Sequence, residues 1–501
     1  MYLGKIMKKI LYISITFFWV VMTGLLVFQN TAHHEKNEIK PVKLSLNDIK
    51  EHESWMGIYL KDKKIGYSGN SIKKEGKETF KITDETFMKL KFSNQIYDAY
   101  VSGSAITKSD LSPVSFSMNV LTSVYTVNIS GVIKGNKVEV TVLSGGSSYK
   151  KIYPFPKSTY IPILLDQTLI RQDLEIGKTY KLMLFDPETL ASDQYMSITL
   201  KKKEKIGNED IYVFEKFYKD MKTTSWVNQD GEIVKEENDF GFKTIREPKE
   251  IALAKGKIQA GELISMSSIP SNILITNPRE LSFLKLTMRG VKNFTIPQAI
   301  TQKTLKQGEA VFLEIRKENA NQKYEPEKLP DILKKEYLQP SAFIQSNDEN
   351  IVNKTMEIIA DDTTDLEKAR KLNKWVFDNL QKIPTFSIPS AVSVLKEKKG
   401  DCNEHAVLLT AMLRAAGIPA RMSVGLLYLP PQGIFSNNKG GFYYHAWVEA
   451  YISENWHAFD ATLGQDHPDA THIKLIDGDL DKQSEIIKLI GKIKIKVEGF
   501  K

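Results

Sequence analysis

The chain has 501 residues, 42% hydrophobic and 26% charged; that length suggests roughly two to four domains, and the composition allows packed cores and excludes wholesale disorder. The net charge is +8, but the lysines are scattered among acids and no basic stripe with interleaved aromatics appears, which excludes a nucleic-acid binder. Only one cysteine is present, Cys402, so an internal disulfide is excluded.

Residues Ile10 to Phe28 form an apolar run without a charged side chain, long enough to cross a hydrocarbon core as a helix. Lys5, Lys8 and Lys9 precede it, which by the positive-inside bias holds the N-terminus in the cytoplasm and sends the rest outside. Asn30-Thr31-Ala32 is a weak match to a signal-peptidase site, because Asn30 is not small. Residues 1–29 are therefore expected to be a cytoplasmic tail and uncleaved signal anchor, and 30–50 a polar tether. The anticipated location is the cell membrane, single-pass, with the remainder extracytoplasmic (periplasmic or extracellular). No cysteine follows the run closely, so a lipid anchor is excluded.

Residues 51–260 carry strand signals. Val124 to Ile129 and Val138 to Val142 alternate around a Gly135-Asn136 turn, and further turns are marked by Gly207-Asn208 and Asp230-Gly231. This predicts an antiparallel β domain without a catalytic constellation. Residues 261–345 read as a mixed β connecting region ending near Pro330 and Pro340. Helical character begins at Ser346. Ser346-Asn-Asp-Glu349 and Thr364-Asp-Leu-Glu367 read as capping boxes, with Val352, Met356 and Ile359 on the apolar face of the first helix. Leu366, Ala369, Leu372, Val376 and Leu380 form that of the second. The predicted class is α+β, with a final domain over 346–501.

The stretch Lys399 to Pro419 predicts a helix. Gly400 turns the chain, Cys402 stands in the first turn, and Gly417 and Pro419 end the helix. Free N–H groups and the positive dipole end favour a thiolate at Cys402 and can stabilise an oxyanion. A small buried hydrophobe is the ordinary role of an unpaired cysteine, so its partners decide the matter. Tyr444 to Ile452 and Asn455 to Asp460 read as two strands joined at Ser453-Glu454. A two-residue turn pairs Ile452 with Asn455 and puts His445 and Asp460 on one face, within side-chain reach. Ala446, Val448, Ala450, Ile452 and Phe459 then fill the other face. A three-residue turn would separate the two site residues.

Four segments carry a resemblance: Gly400-Asp-Cys-Asn-Glu-His405, Ala415-Ala-Gly-Ile-Pro-Ala-Arg421, Tyr444-His-Ala-Trp-Val-Glu449 and Trp456-His-Ala-Phe-Asp-Ala-Thr462. In that order, with 43 residues from Cys402 to His445 and 15 from His445 to Asp460, they resemble the bacterial transglutaminase-like family. The resemblance implies a helix-borne nucleophile Cys402 facing a sheet that carries the base His445 and the orienting Asp460. It also implies acyl transfer through a thioester on a carboxamide or peptide bond. Protease or amide hydrolase is the expected activity, with a cross-linking acyltransferase or a non-catalytic envelope binding module as alternatives. Where the family often has Asp-Pro-Thr, this chain has Asp460-Ala461-Thr462. The expected partners are a protein or peptide substrate and, through residues 10–28, the membrane. No cofactor or metal is expected. His405, Glu404 and His457 are read as capping or packing residues. His467 and His472 match no metal-ligand spacing, and Asp477-Gly-Asp-Leu-Asp481 lacks the rest of a calcium loop.

Overall fold

The computed structural model describes residues 51–501, apart from short stretches that include 263–267, 432–437 and 480–485. The expected membrane segment and tether lie outside the described residues. Among the described residues, no helix is long and apolar enough to cross a membrane.

Mostly antiparallel β-structure dominates, with the main helices in the C-terminal region. One 16-stranded sheet takes up the first half. Two meanders, 52–154 and 159–246, supply fifteen of its strands and are joined where His52–Leu60 pairs antiparallel with Phe242–Arg246; Gly261–Glu262 adds the sixteenth, parallel to Thr79–Phe92. Two-residue turns set the register as the sequence predicts: Lys134 pairs with Lys137 around Gly135-Asn136, and Ile206 with Glu209 around Gly207-Asn208. Alternation puts Ile72, Ile82, Val127, Ile129, Val138 and Val140 into one buried cluster, which also takes Ala342 and Phe343 from the later chain.

After Gly261–Glu262, the rest of 261–345 supplies strands to the sheets of the C-terminal half. Ser268–Pro270 pairs with Gly441–Tyr443. Phe283–Arg289 lies between Ala310–Arg316 and the final strand Lys494–Phe500.

Among the described residues, four helices follow: α1 (Glu349–Ile359), α2 (Asp365–Asn379), α3 (Ala391–Glu397) and α4 (Cys402–Ala415). Thr364 and Glu367 make the expected capping box of α2. The cap of α1 differs from the expectation. Asp348, not Ser346, accepts the Asn350 N–H, so the helix starts later. Its buried residues are Ile351, Thr355 and Ile359, and Met356 is exposed. On α4 the expected single apolar stripe is also too narrow, since every residue from Glu404 to Arg414 is buried. The helix is central, packing on α1, α2 and α3 and on the two long strands of the adjacent sheet. An all-round apolar surface is what such a place requires.

That sheet contains β1 (Ala420–Leu429), β2 (Gly441–Ile452), β3 (Asn455–Phe459) and β4 (Ile473–Asp477). β2 pairs antiparallel with β1 and β3, and β1 with β4. Ala446, Val448, Ala450, Ile452 and Phe459 join Ala406, Leu409 and Leu413 in one core.

Candidate active site

Cys402 opens α4. Asp401 caps the helix by accepting the Asn403 N–H at 3.1 Å, and Glu404 reaches back to the Asp401 N–H at 2.9 Å. This reciprocal cap leaves the first turn rigid. Gly400 is required beside it: with φ of 154°, a Cβ there would lie 2.2 Å from that of Glu404. Lys399–Gly400 also pairs with Gln381–Lys382, which fixes the approach to the helix.

His445 and Asp460 come from the β2–β3 hairpin. Ile452 pairs with Asn455 and Val448 with Phe459, the register of a two-residue turn. Ser453 and Glu454 reach it with φ of 49° and 61°, a left-handed pair that suits the twist of a hairpin. After Phe459 the chain leaves β2, and Asp460 bridges to Gln465 instead of pairing with Trp447. His445 Nε2 lies 2.8 Å from Asp460 Oδ2. Asp460 is fully buried, and its Oδ1 accepts the N–H groups of Thr462 at 2.7 Å and Leu463 at 3.1 Å. Burial opposes its charge, but the two imidazoles beside it prevail and hold the carboxyl well below its usual range. With Nε2 engaged, Nδ1 is the His445 nitrogen left to serve a thiol.

The Ala446 backbone, next to His445, lies near enough to Cys402 to favour its thiolate, and Asp460 is close enough for its charge to act on the thiol. Helix start and hairpin therefore meet, as the order of motifs implied. The charge state does not follow the sequence expectation. Burial, and then Asp401, push the Cys402 thiol well above its ordinary value, with Glu404 and Asp460 adding to the rise. The Ala446 N–H works the other way and is outweighed. Burial and the acidic cap of α4 thus favour the protonated thiol.

The sequence reading missed a second imidazole. His472, just before β4, places Nε2 3.0 Å from the same Asp460 oxygen. Its Nδ1 faces the Asp469 backbone carbonyl at 3.0 Å. Asp469 is in turn paired with Arg279 at 2.8 Å. Trp447 walls the cluster, stacked at 6.3 Å on His445 and edge-on at 5.4 Å to His472. No local motif marks His472, because its partner lies across the loop following β3.

The other candidates have structural partners. His405 Nδ1 donates to the Asp401 backbone carbonyl, 2.6 Å away, and the residue is fully buried. His457 and His467 both face Glu318, at 2.6 and 3.5 Å. Asp477 bonds Ser423 and pairs with Arg421 and Lys474, while Asp479 pairs with Arg414, which accounts for two carboxylates of the calcium-like stretch. Glu449 is held by Arg421 and Lys474, so it is not available to His445. His445, Asp460 and His472 bring ligand atoms within 4.8 Å of one another. None of the three has a buried polar atom without a hydrogen bond. The cluster is bonded within itself and to Thr462, Leu463 and Asp469, and no ion is assigned to it.

Residues 353–461 match the model of the transglutaminase-like superfamily core. The chain carries a transglutaminase-like domain. The matched range includes Cys402, His445 and Asp460 and ends before His472. No curated protein matches the chain. Among solved structures, a Cytophaga hutchinsonii protein proposed to be a cysteine protease is 20% identical, with 43% of this chain and 82% of that one covered and a TM-score of 0.30. A β-barrel-like protein from Brucella abortus is 12% identical, covering 40% and 95%, with a TM-score of 0.32. A Parabacteroides distasonis protein proposed to be a protease is 11% identical, covering 79% and 64%, with a TM-score of 0.20. At those scores the likenesses carry no argument about the transglutaminase-like domain.

Proposed function

We propose that the transglutaminase-like domain is a thiol acyl-transfer enzyme with Cys402 as nucleophile, His445 as general base and Asp460 as the residue that orients His445. The observation that carries this reading is the buried 2.8 Å His445–Asp460 pair, with the only thiol of the chain packed against the core that holds the neighbouring Ala446. A base beside a nucleophile, oriented by a third group, is the arrangement that activates one.

The thiol enters the reaction protonated. Its sulfur attacks the carbonyl carbon of a carboxamide or peptide bond while His445 takes the proton. The oxyanion is met by the Cys402 backbone N–H at the start of α4. His445 then gives the proton to the nitrogen, ammonia or an amine leaves, and the acyl group remains as a thioester on Cys402. Water attacks the thioester while His445 takes a proton from it; the C–S bond then breaks, His445 returns the proton to the Cys402 sulfur, and a carboxylic acid is released. Attack by an amine would give a cross-link. Hydrolysis needs no second substrate and is the outcome we infer.

We further infer that the domain works outside the cytoplasm, anchored by residues 10–28. The apolar run and the three lysines before it support this. The test is mass spectrometry of cell-envelope lysates incubated with the wild-type protein and with Cys402→Ala. New carboxyl termini or Gln-to-Glu changes seen with wild type alone are expected. Isopeptide cross-links would assign the amine outcome, and identical samples would leave a binding module. Protease added to spheroplasts is expected to remove the chain beyond about residue 30; a protected C-terminal domain would reverse the topology.

A further inference from the structure

His472 accepts no role in the three-residue scheme, yet it is nearly inaccessible and bonded to the oxygen that His445 uses. Its hydrogen bonds dictate its protonation. Nε2 faces the Asp460 carboxylate, and Nδ1 faces the Asp469 backbone carbonyl, with the Asp469 carboxylate 3.7 Å away. All of these are acceptors. A neutral imidazole has one donor and one acceptor nitrogen, so it would set a lone pair against an oxygen. Only the doubly protonated ring satisfies both ends.

Asp460, for its part, receives four donors, two at each oxygen: Thr462 and Leu463 N–H at Oδ1, His445 and His472 at Oδ2. The position of the carboxylate is thus set from both sides. We propose that His472 is a positioning residue of the acyl-transfer site, a fixed imidazolium that clamps Asp460 and balances its charge. The inference rests on the triad reading above.

The consequence is electrostatic. Asp460 is one of the charges that oppose formation of the Cys402 thiolate, together with Asp401 and Glu404 at the helix cap. A cation on the far side of Asp460 offsets that opposition and supplies the neutrality that a buried carboxylate requires. Around His472 the charged and titratable groups are Asp460 and Asp469 on its two nitrogens, Arg279 behind Asp469, and the His445 ring with its centroid 5.6 Å away. Against the effect of burial, the hydrogen bonds and charges of the Asp460 and Asp469 carboxylates raise the His472 pKa to about 9.

Two measurements on the full chain test this. In the wild type, nitrogen-resolved NMR of the His472 ring is expected to show both nitrogens protonated through pH 8; a neutral tautomer at pH 7 overturns the proposal. In His472→Gln, which keeps a donor but loses the charge, the rate of Cys402 alkylation by iodoacetamide is followed against pH. The midpoint is expected to move upward by about half a unit to one unit, as loss of a nearby cation requires. A purely structural role would lower the melting temperature and leave the midpoint in place, which also overturns it. His445→Ala separates the two readings. If it leaves alkylation unchanged, the triad itself is wrong. If it changes alkylation and His472→Gln does not, the failure is confined to His472.

Discussion

Asp460 is the residue on which the site turns, and its four donors change what a substitution there does. Asparagine has one acceptor oxygen and adds an N–H₂ group, which must face at least one of the N–H groups that now donate to the carboxylate. Asp460→Asn is therefore expected to lose activity by roughly 10²–10⁴-fold, the scale of an acid–base group, and also to lose about 1–3 kcal/mol of stability for donors left unpaired. Urea unfolding and a rate assay check both. Unchanged stability with lost activity would mean that the loop after β3 relaxes around the amide. Cys402→Ala opens no large cavity and should melt near wild type. The same residue-scale reasoning sets apart Glu449, which shares β2 with His445. Arg421 and Lys474 overcome burial to hold its carboxyl down to about 2, so its stabilising contribution is present above its ordinary pKa and is lost only as pH falls toward 2.

At the scale of the element, the β2–β3 hairpin decides whether the site exists. A one-residue change in its turn would send His445 and Asp460 to opposite faces. The turn is held by Ser453 and Glu454 in left-handed backbone conformations, which neither residue favours. The apolar faces impose the register, and the turn follows. Replacing the pair with Asn-Gly, as Ser453→Asn with Glu454→Gly, should raise stability by about 0.5–1 kcal/mol in chemical denaturation, since glycine and asparagine accept positive φ at little cost. The alkylation profile of Cys402 should not change. A destabilised double variant would show that the Glu454 side chain does more than occupy the turn; its backbone carbonyl, which accepts the Glu327 N–H, is retained.

Across the whole molecule, the first-half sheet reaches the start of α4. Tyr125, from the turn between strands Pro113–Thr122 and Thr126–Lys134, is buried in the core formed by α1 to α4. Its hydroxyl donates to the Lys399 carbonyl, three residues before Cys402. Two further contacts reinforce the junction: the Ser144 and Ser393 hydroxyls at 3.1 Å, and Ser147 donating to Asp348 at 2.6 Å. Gly145 is needed there, because its φ is 63° and a Cβ would fall 2.7 Å from the Ser393 backbone nitrogen. The β half thus buttresses the strand that leads into Cys402. Tyr125→Ala should cost about 3–5 kcal/mol, as other large aromatic deletions in cores do, and slow Cys402 alkylation. Tyr125→Phe, which removes only the bond to Lys399, should retain most of the stability. If Tyr125→Ala leaves both stability and alkylation unchanged, the halves are only loosely joined in solution.

Local chemistry was sufficient for much of this protein. The sequence by itself determined the hairpins, because turn residues and alternation act over a few positions. It also determined α4 with Cys402 in its first turn, and the pairing that puts His445 beside Asp460. Patterns of period 2 and 3.6 carry that information without reference to the rest of the chain. The start of α1 was misread because Ser346 and Asp348 are both good caps, and only packing chose Asp348. Tertiary structure alone decided the charge at Cys402, where burial and the acidic cap overrule the helix dipole. It alone brought Tyr125 to the approach of α4, and His472 to the back of Asp460. Those contacts join residues far apart along the chain or across an irregular loop, and their energies come from desolvation and from shared hydrogen bonds. Neither quantity has a value until the surrounding surfaces close.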